Sequence, residues 1–138
     1  MILFVDDEKQ YVENVISEME SLGLEVRFCA TVDEAIQVLN KPEPKIEAII
    51  LDVMMPHGKS FTASETEDTM RTGLLLLARI RENGVHVPVV LLTNLEPGRA
   101  PVDEFAQKYA PCTVIRKRDK WSFEIAECIR DLVANERS

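Results

Sequence analysis

The sequence predicts an α/β fold: a doubly wound five-stranded parallel sheet in the order 2-1-3-4-5, covered by five helices. Three observations carry that expectation. Short apolar runs alternate five times with segments of helical periodicity, which implies a parallel sheet with right-handed crossovers and helices on both faces. The runs Ile46-Glu-Ala-Ile-Ile-Leu51 and Val87 to Leu92 are nearly continuous in apolar residues, as strands covered on both faces require. Polar residues close these runs, namely Asp6, Asp7, Asp52, Thr93 and Lys117. In an open α/β sheet the functional crevice lies beyond the carboxyl ends of the strands, and a count of five favours the order 2-1-3-4-5. Strands one and three are then neighbours, so Asp6 and Asp7 lie beside Asp52.

The elements follow in chain order. Ile2-Leu-Phe-Val5 is the first strand. From Glu8 to Leu22 the residues Val12, Val15, Ile16, Met19 and Leu22 recur at helical spacing, and Gly23 stops the helix. Glu25 to Cys29 is the second strand. Thr31-Val-Asp-Glu34 has the capping-box pattern of a second helix that buries Ala35, Ile36, Val38 and Leu39 and ends before Pro42 and Pro44. Ile46 to Asp52 is the third strand, and Pro56, His57 and Gly58 break the pattern after it. Gly73 to Asn83 reads as the third helix, with Leu74, Leu77, Ala78 and Ile80 inward, and Val87 to Leu92 is the fourth strand, closed by Thr93. Pro97 and Pro101 bracket a loop before a fourth helix, Val102 to Ala110, which buries Val102, Phe105, Ala106 and Tyr109. Cys112 to Arg116 is the fifth strand. Ser122 caps the fifth helix, whose inward stripe is Ile125, Ala126, Ile129, Leu132 and Val133, and the tail from Asn135 to Ser138 frays.

With 138 residues, 46% of them hydrophobic, the chain fits one domain over 1–138 that can bury a real core. A formal charge of -8 argues against direct contact with nucleic acid, which needs clustered Lys and Arg. The opening apolar run is too short for a signal-peptide core and none approaches a membrane span, so a cytoplasmic protein without membrane contact is expected. Cys29, Cys112 and Cys128 lack the paired spacing of zinc or redox motifs and read as buried or partly buried thiols.

Three converging carboxylates cannot all stay ionised without a counterion, so one pKa rises sharply or a divalent cation is recruited. Mg2+ suits the oxygen donors best, because it commonly takes one or two carboxylates, several waters and phosphate oxygens. Thr93 and Lys117 face the same rim and offer a hydrogen-bond donor and a positive charge to an incoming phosphoryl group. Each residue has an ordinary structural use alone: Asp as a helix cap, Thr in a turn, Lys as a solvated charge. His57, beside Pro56, reads as an exposed loop residue because no second ligand spacing accompanies it.

On these residues the chain resembles the receiver domain of two-component response regulators, as a stand-alone and atypical example. The matching features are Asp6-Asp7, Asp52 followed by Val53-Met54-Met55-Pro56, Thr93, Lys117 and the alternating order. The resemblance implies a flavodoxin-like fold and a phosphoacceptor switch that assists its own phosphorylation and dephosphorylation rather than an enzyme acting on other substrates. It makes Asp52 the phosphoacceptor. It makes Asp7, Asp52 and the Met54 carbonyl direct ligands of Mg2+, with Asp6 acting through water, and Lys117 and Thr93 the phosphoryl-binding residues. The implied donor is a sensor histidine kinase, a phosphotransfer protein or a small acyl phosphate, and the output is an unknown downstream protein. The face formed by the fourth helix, fifth strand and fifth helix, here with Arg99, Glu104, Lys108, Arg118, Lys120 and Trp121, carries dimerisation or output contacts in the family and would serve a homodimer; Trp121 also reads as a buried anchor of the last helix.

The chain departs from the family pattern in four places. The glycine that opens the third helix is Gly73, and His57 to Thr72 intervene as a polar insertion at about 57–72. Its first half has the composition of a mobile loop. Its second half contains the capping-box pattern Ser64-Glu-Thr-Glu67, with Asp68 and Met70 extending the helix backward, so the third helix is expected to start near Ser64. Arg118 stands where the family has proline after the lysine, which predicts a trans Lys117–Arg118 bond. Val114 occupies the usual aromatic switch position. Met54 and Leu95, two residues beyond Asp52 and Thr93, cannot orient an attacking water, which predicts a long-lived phosphoaspartate. Two other readings compete: a pseudo-receiver that binds partners without phosphate control, and a phosphatase of the haloacid-dehalogenase type, disfavoured because Met54 stands where that class has a second acid.

Overall fold

The computed structural model describes residues 1–67, 69–96, 98 and 100–137, the last by its backbone alone. Asp68, Pro97 and Arg99, on which sequence-based expectations were placed, lie outside the described residues. The elements are β1 (Ile2–Val5), α1 (Lys9–Ser21), β2 (Val26–Cys29), α2 (Val32–Leu39), β3 (Ala48–Asp52), α3 (Ala63–Thr66), α4 (Thr72–Glu82), β4 (Val89–Thr93), α5 (Val102–Lys108), β5 (Cys112–Arg116) and α6 (Ser122–Arg137). All four pairings are parallel, and the sheet order is β2-β1-β3-β4-β5, as predicted.

Alternation along the strands divides the core into two layers. Leu3 and Val5 of β1 join Ile49, Leu51, Leu74, Leu77, Ile80 and Leu91 beneath α2, α4 and α5. Ile2 and Phe4 face the other way and join Val12, Val15, Met19, Ile50, Leu92, Ile125 and Ile129 beneath α1 and α6. The central strands β1, β3 and β4 are buried at every position, which accounts for their unbroken apolar character. The register sets Val5 against Leu51 and Asp52 against Leu92, so the first residues beyond these strands emerge side by side.

The structure corrects several details. The described residues form six α-helices rather than five, because the insertion folds its own turn of helix, α3. Its capping box is Thr62–Glu65, not Ser64–Glu67: the Thr62 hydroxyl accepts from Glu65 N–H at 3.0 Å, and the Glu65 carboxylate accepts from Thr62 N–H at 3.0 Å. Glu67 then adopts a left-handed conformation (φ 50°) and Thr69 has φ 77°, so the helix stops and α4 begins afresh at Thr72. The first half of the insertion is also tied down. The Asp33 carboxylate accepts the N–H groups of Lys59 and Ser60 at 3.0 Å each and the Ser60 hydroxyl, which pulls its pKa below the usual carboxylate range.

Leu22 is exposed rather than inward, Ala78 is half-buried and Leu76 buried in its stead, and Ile36, Leu39, Phe105, Tyr109 and Leu132 are half-buried rather than fully inside. The N-cap position of α6 is Trp121 rather than Ser122: the Trp121 carbonyl accepts from Ile125 N–H, and Glu124 reaches back to Trp121 N–H at 2.8 Å. Trp121 itself is 74% exposed and is no buried anchor. The helix runs on to Arg137 instead of fraying from Asn135. Among the described residues the cis peptide bonds are Glu43–Pro44 and Ala110–Pro111, and Lys117–Arg118 is trans, as its residue types require. The three cysteines are free, with Cys29 buried and the others half-buried.

One buried charge organises the far end of the sheet. Arg81 of α4 donates to the carbonyls of Tyr109 (2.8 Å), Val85 (2.9 Å), Val87 (2.8 Å) and Pro111 (2.7 Å). Its planar fork binds the turns before β4 and β5 to α4, a geometry that an ammonium could not match.

Candidate functional site

Backbone geometry delivers the site residues to one crevice. Asp6 follows β1, Asp52 ends β3, Thr93 ends β4 and Lys117 follows β5. Asp6, Asp52, Thr93 and Lys117 are all buried, which is unusual for the three ionisable groups among them unless they serve one another. Gly73 makes this arrangement possible from below. Its N–H donates to the Val53 carbonyl at 2.9 Å, and a methyl group there would lie 2.0 Å from the Asp52 carbonyl oxygen. Only a residue without Cβ lets the start of α4 lie against the strand end that carries Asp52.

Lys117 is the hub. Its Nζ lies 3.0 Å from Asp6 Oδ2, 3.2 Å from Glu8 Oε1 and 3.6 Å from Asp52 Oδ2. Burial pulls the ammonium pKa down, but Asp52, Asp6 and Glu8 outweigh that, and the net shift is upward, so the group stays charged. Asp52 responds in the opposite way. Burial raises its pKa first and the charge of Asp6 adds to it, against the lowering effect of Lys117, and it is pushed up to about 8. Asp6 is raised as well, chiefly by burial, despite accepting a hydrogen bond from Glu8 N–H at 2.8 Å.

The donor set fits a hard divalent cation. Oxygen atoms of Asp6, Glu8 and Asp52 lie within 4.8 Å of one another, and three carboxylates oppose one ammonium. Asp6 Oδ2 is buried and faces Lys117 Nζ, yet accepts no well-directed hydrogen bond. Such an oxygen is suited to a metal-bound water. Asp7 is exposed and lies outside this tight group, although its charge acts on Asp52. Met54 is exposed at the rim, and its N–H approaches Asp52 Oδ1 at 3.4 Å. Thr93 Oγ1 accepts from Leu95 N–H at 2.9 Å, which leaves its own hydrogen free for donation.

Glu8 and Tyr11 escaped the sequence reading. Glu8 is not the first helical residue that the periodicity implies: it precedes α1 and turns into the crevice, where it pairs with Lys117 and accepts from Asn94 Nδ2 at 3.3 Å. Tyr11 lies under Lys117, with Nζ 4.8 Å from the ring centroid. Their three-residue spacing across the start of α1 was the available signal. His57 is half-buried, and its Nδ1 lies 2.7 Å from the Gly58 carbonyl oxygen, apart from the cluster. Arg118 pairs with Glu96 at 2.7 Å, and Val114 is half-buried.

The sequence model of the response regulator receiver domain family matches residues 2–108, which takes in Asp6, Asp7, Asp52 and Thr93 and stops short of β5 and Lys117. A search of curated proteins finds no match. Among solved structures, the receiver domain of the Francisella response regulator 1452 is similar at a TM-score of 0.75 and 19% identity, over 97% of this chain and 96% of that one. A CheY-like receiver domain protein from Methanospirillum hungatei is similar at a TM-score of 0.75 and 18% identity, over 99% and 94%. The response regulator TrrA of Thermotoga maritima, solved in complex with Mg2+ and BeF, is similar at a TM-score of 0.66 and 24% identity, over 95% and 96%. Among the described residues no helix is long and apolar enough to cross a membrane.

Proposed function

The chain belongs to the response regulator receiver domain family, and from that premise we propose that it is a cytoplasmic phosphorylation switch whose phosphoacceptor is Asp52. The donor would be a sensor histidine kinase, a phosphotransfer protein or a small acyl phosphate, and the phosphorylated domain would signal through a partner protein. The observation that carries this reading is the buried Lys117 ammonium, 3.6 Å from Asp52 and held by Asp6 and Glu8, where the chain leaves β1, β3 and β5. A lone surface lysine would have no reason to be buried there.

The residues divide the work. An Asp52 oxygen attacks phosphorus, and the new oxygen–phosphorus bond forms as the bond to the donor's imidazole nitrogen or acyl oxygen breaks, its electron pair leaving with the donor. Lys117 supplies a fixed positive charge to the phosphoryl oxygens, and the Thr93 hydroxyl, anchored through Leu95 N–H, donates to them. Mg2+ would be held by Asp7, Asp52 and the Met54 carbonyl, with Asp6 acting through water and Glu8 as a further carboxylate at hand. When bound, the cation supplies the charge that keeps these carboxylates ionised and neutralises the transferring group. Asp52, with its pKa near 8, must lose a proton to act, so cation binding and proton release are linked.

Incubation with Mg2+ and a small acyl phosphate, read by intact mass, tests the proposal: uptake of one phosphoryl group that Asp52→Ala abolishes supports it. No uptake from several donors, and no beryllofluoride binding, would support instead a pseudo-receiver that binds partners without phosphate, the reading favoured by Val114 and the Arg118–Glu96 pair. With Leu95 buried and Met54 at the rim, neither able to orient water, the phosphoaspartate should outlast the removal of donor by many minutes. A lifetime of seconds contradicts that.

A further inference from the structure

Tyr11 is half-buried at the start of α1, with its ring beneath the Lys117 ammonium, 4.8 Å from Nζ to the centroid. The other contacts of that ammonium among the described residues are carboxylates, each with a second role in the proposed switch: Asp52 as phosphoacceptor, Asp6 and Glu8 beside a cation. The aromatic face is the one protein contact of the ammonium, among the described residues, that neither a cation nor a phosphoryl group would claim. The phenol also belongs to the same electrostatic neighbourhood. Burial pushes its pKa up to about 12, with Lys117, Asp6, Glu8 and Asp52 all acting on it, so it stays protonated. Its hydroxyl is buried and has no hydrogen-bond partner among the described residues, so the ring rather than the hydroxyl makes the contact that matters.

We propose that Tyr11 is a positioning residue for Lys117: its ring face holds the ammonium toward Asp52 through a cation–π contact while the surrounding carboxylates are engaged by metal and phosphoryl group. This rests on the phosphoacceptor reading above and deepens it. A desolvated cation–π contact is strong enough to decide where a flexible four-carbon chain points.

The test uses the full chain with Mg2+ and beryllofluoride, and with a small acyl phosphate as donor. Tyr11→Leu should weaken beryllofluoride binding and slow phosphoryl uptake by about tenfold, while Tyr11→Phe, which keeps the ring and drops only an unpartnered hydroxyl, should stay within about twofold of wild type. In a Lys117→Met background the Tyr11→Leu effect should vanish, since there is no ammonium left to hold; a merely structural role for the ring would persist there. A readout independent of phosphate is the proton spectrum of the Lys117 ε-methylene, shifted upfield by the ring in wild type and Tyr11→Phe and not in Tyr11→Leu. Equal effects of Leu and Phe, survival of the Leu effect without Lys117, or the absence of the ring shift would each overturn the proposal. Should wild type take up no phosphoryl group, the phosphoacceptor reading fails, and the ring shift still decides whether Tyr11 holds Lys117.

Discussion

Replacement of Gly73 by alanine should disable the site without touching a reactive atom. The added methyl would sit 2.0 Å from the Asp52 carbonyl oxygen, 2.8 Å from Val53 Cα and 2.9 Å from the Asp52 carbonyl carbon, whereas ordinary contact begins near 3.4 Å. All three atoms are backbone, so no side chain can swing aside. Val53 N–H is itself committed to the Leu92 carbonyl at 3.3 Å, which resists movement of the strand end, so α4 must retreat and weaken the Gly73 N–H bond to Val53. Overpacking of this kind costs ~1–3 kcal/mol. The weakened bond costs about 1 kcal/mol more. Alanine returns about 1 kcal/mol through its better helix propensity. The net loss is about 2 kcal/mol, which for a chain of this size lowers the melting temperature by roughly 8 °C.

The functional loss should exceed the stability loss, because the displaced backbone carries Asp52. Mg2+ affinity, followed through the fluorescence of Trp121 or by calorimetry, should fall by about tenfold or more, since a shift near 1 Å is enough to spoil a preorganised site. Gly84→Ala is the control. Gly84 has φ +82° with nothing within 4 Å of the added methyl, so alanine there costs ~1–2 kcal/mol of backbone strain and leaves the metal affinity unchanged. A Gly73→Ala protein with wild-type melting temperature and wild-type Mg2+ affinity would refute the reasoning about how α4 meets β3.

Arg81→Met should cost ~3–5 kcal/mol in urea unfolding, because four carbonyls lose a charged donor in a buried position, and Arg81→Lys should recover only part of it. In the metal-free protein, Asp52 keeps its proton in the folded state up to a pKa of about 8, while the unfolded carboxyl releases it near 3.8. Folding stability should therefore decline as pH rises between those values, by at most ~1.4 kcal/mol per unit, and Asp52→Asn should flatten the profile in chemical denaturation. Lys117, whose pKa is raised, contributes fully throughout that window because its stabilisation is lost only at higher pH. Asp33→Ala should release the insertion: amide exchange at Lys59 and Ser60 speeds up while the β3 amides stay protected, and unchanged exchange at those two residues would show that Asp33 does not hold the loop.

The fold was legible because its signals are global. Unbroken apolar runs such as Val89–Leu92 have no other use in a chain of this length, and their polar end residues point to one rim whatever the details of the loops. The failures are local. Ser64-Glu-Thr-Glu67 and Thr62-Ala-Ser-Glu65 are equally good capping boxes on paper, and what decides between them is the left-handed turn at Glu67 that lets the chain reach Gly73. Trp121 looked like an anchor because tryptophan carries a large apolar area, yet its place after a 3-10 turn leaves it on the surface. Glu8 went unassigned because a third acid after Asp6-Asp7 reads naturally as the start of a helix. Arg81 left no trace at all, since its partners are backbone carbonyls, two of them about thirty residues away in sequence.

Two of the departures from the family pattern, Val114 and Arg118, lie at one place in the structure. At the β4–β5 end of the sheet Thr93 and Lys117 leave neighbouring strands. In the family's pattern an aromatic residue beside the threonine serves that end, and here Val114 offers no ring to swing. What joins the two strand ends instead is polar. Arg118, standing where proline would, pairs with Glu96 at 2.7 Å and reaches the Asn94 carbonyl at 3.4 Å, while Asn94 donates to Glu8, which pairs with Lys117. Proline could make neither of the Arg118 contacts. The chain of contacts from Lys117 through Glu8 and Asn94 to Arg118 therefore begins on a buried ammonium and ends on exposed side chains, and it joins the ends of β4 and β5 where the family's pattern has a ring and a proline.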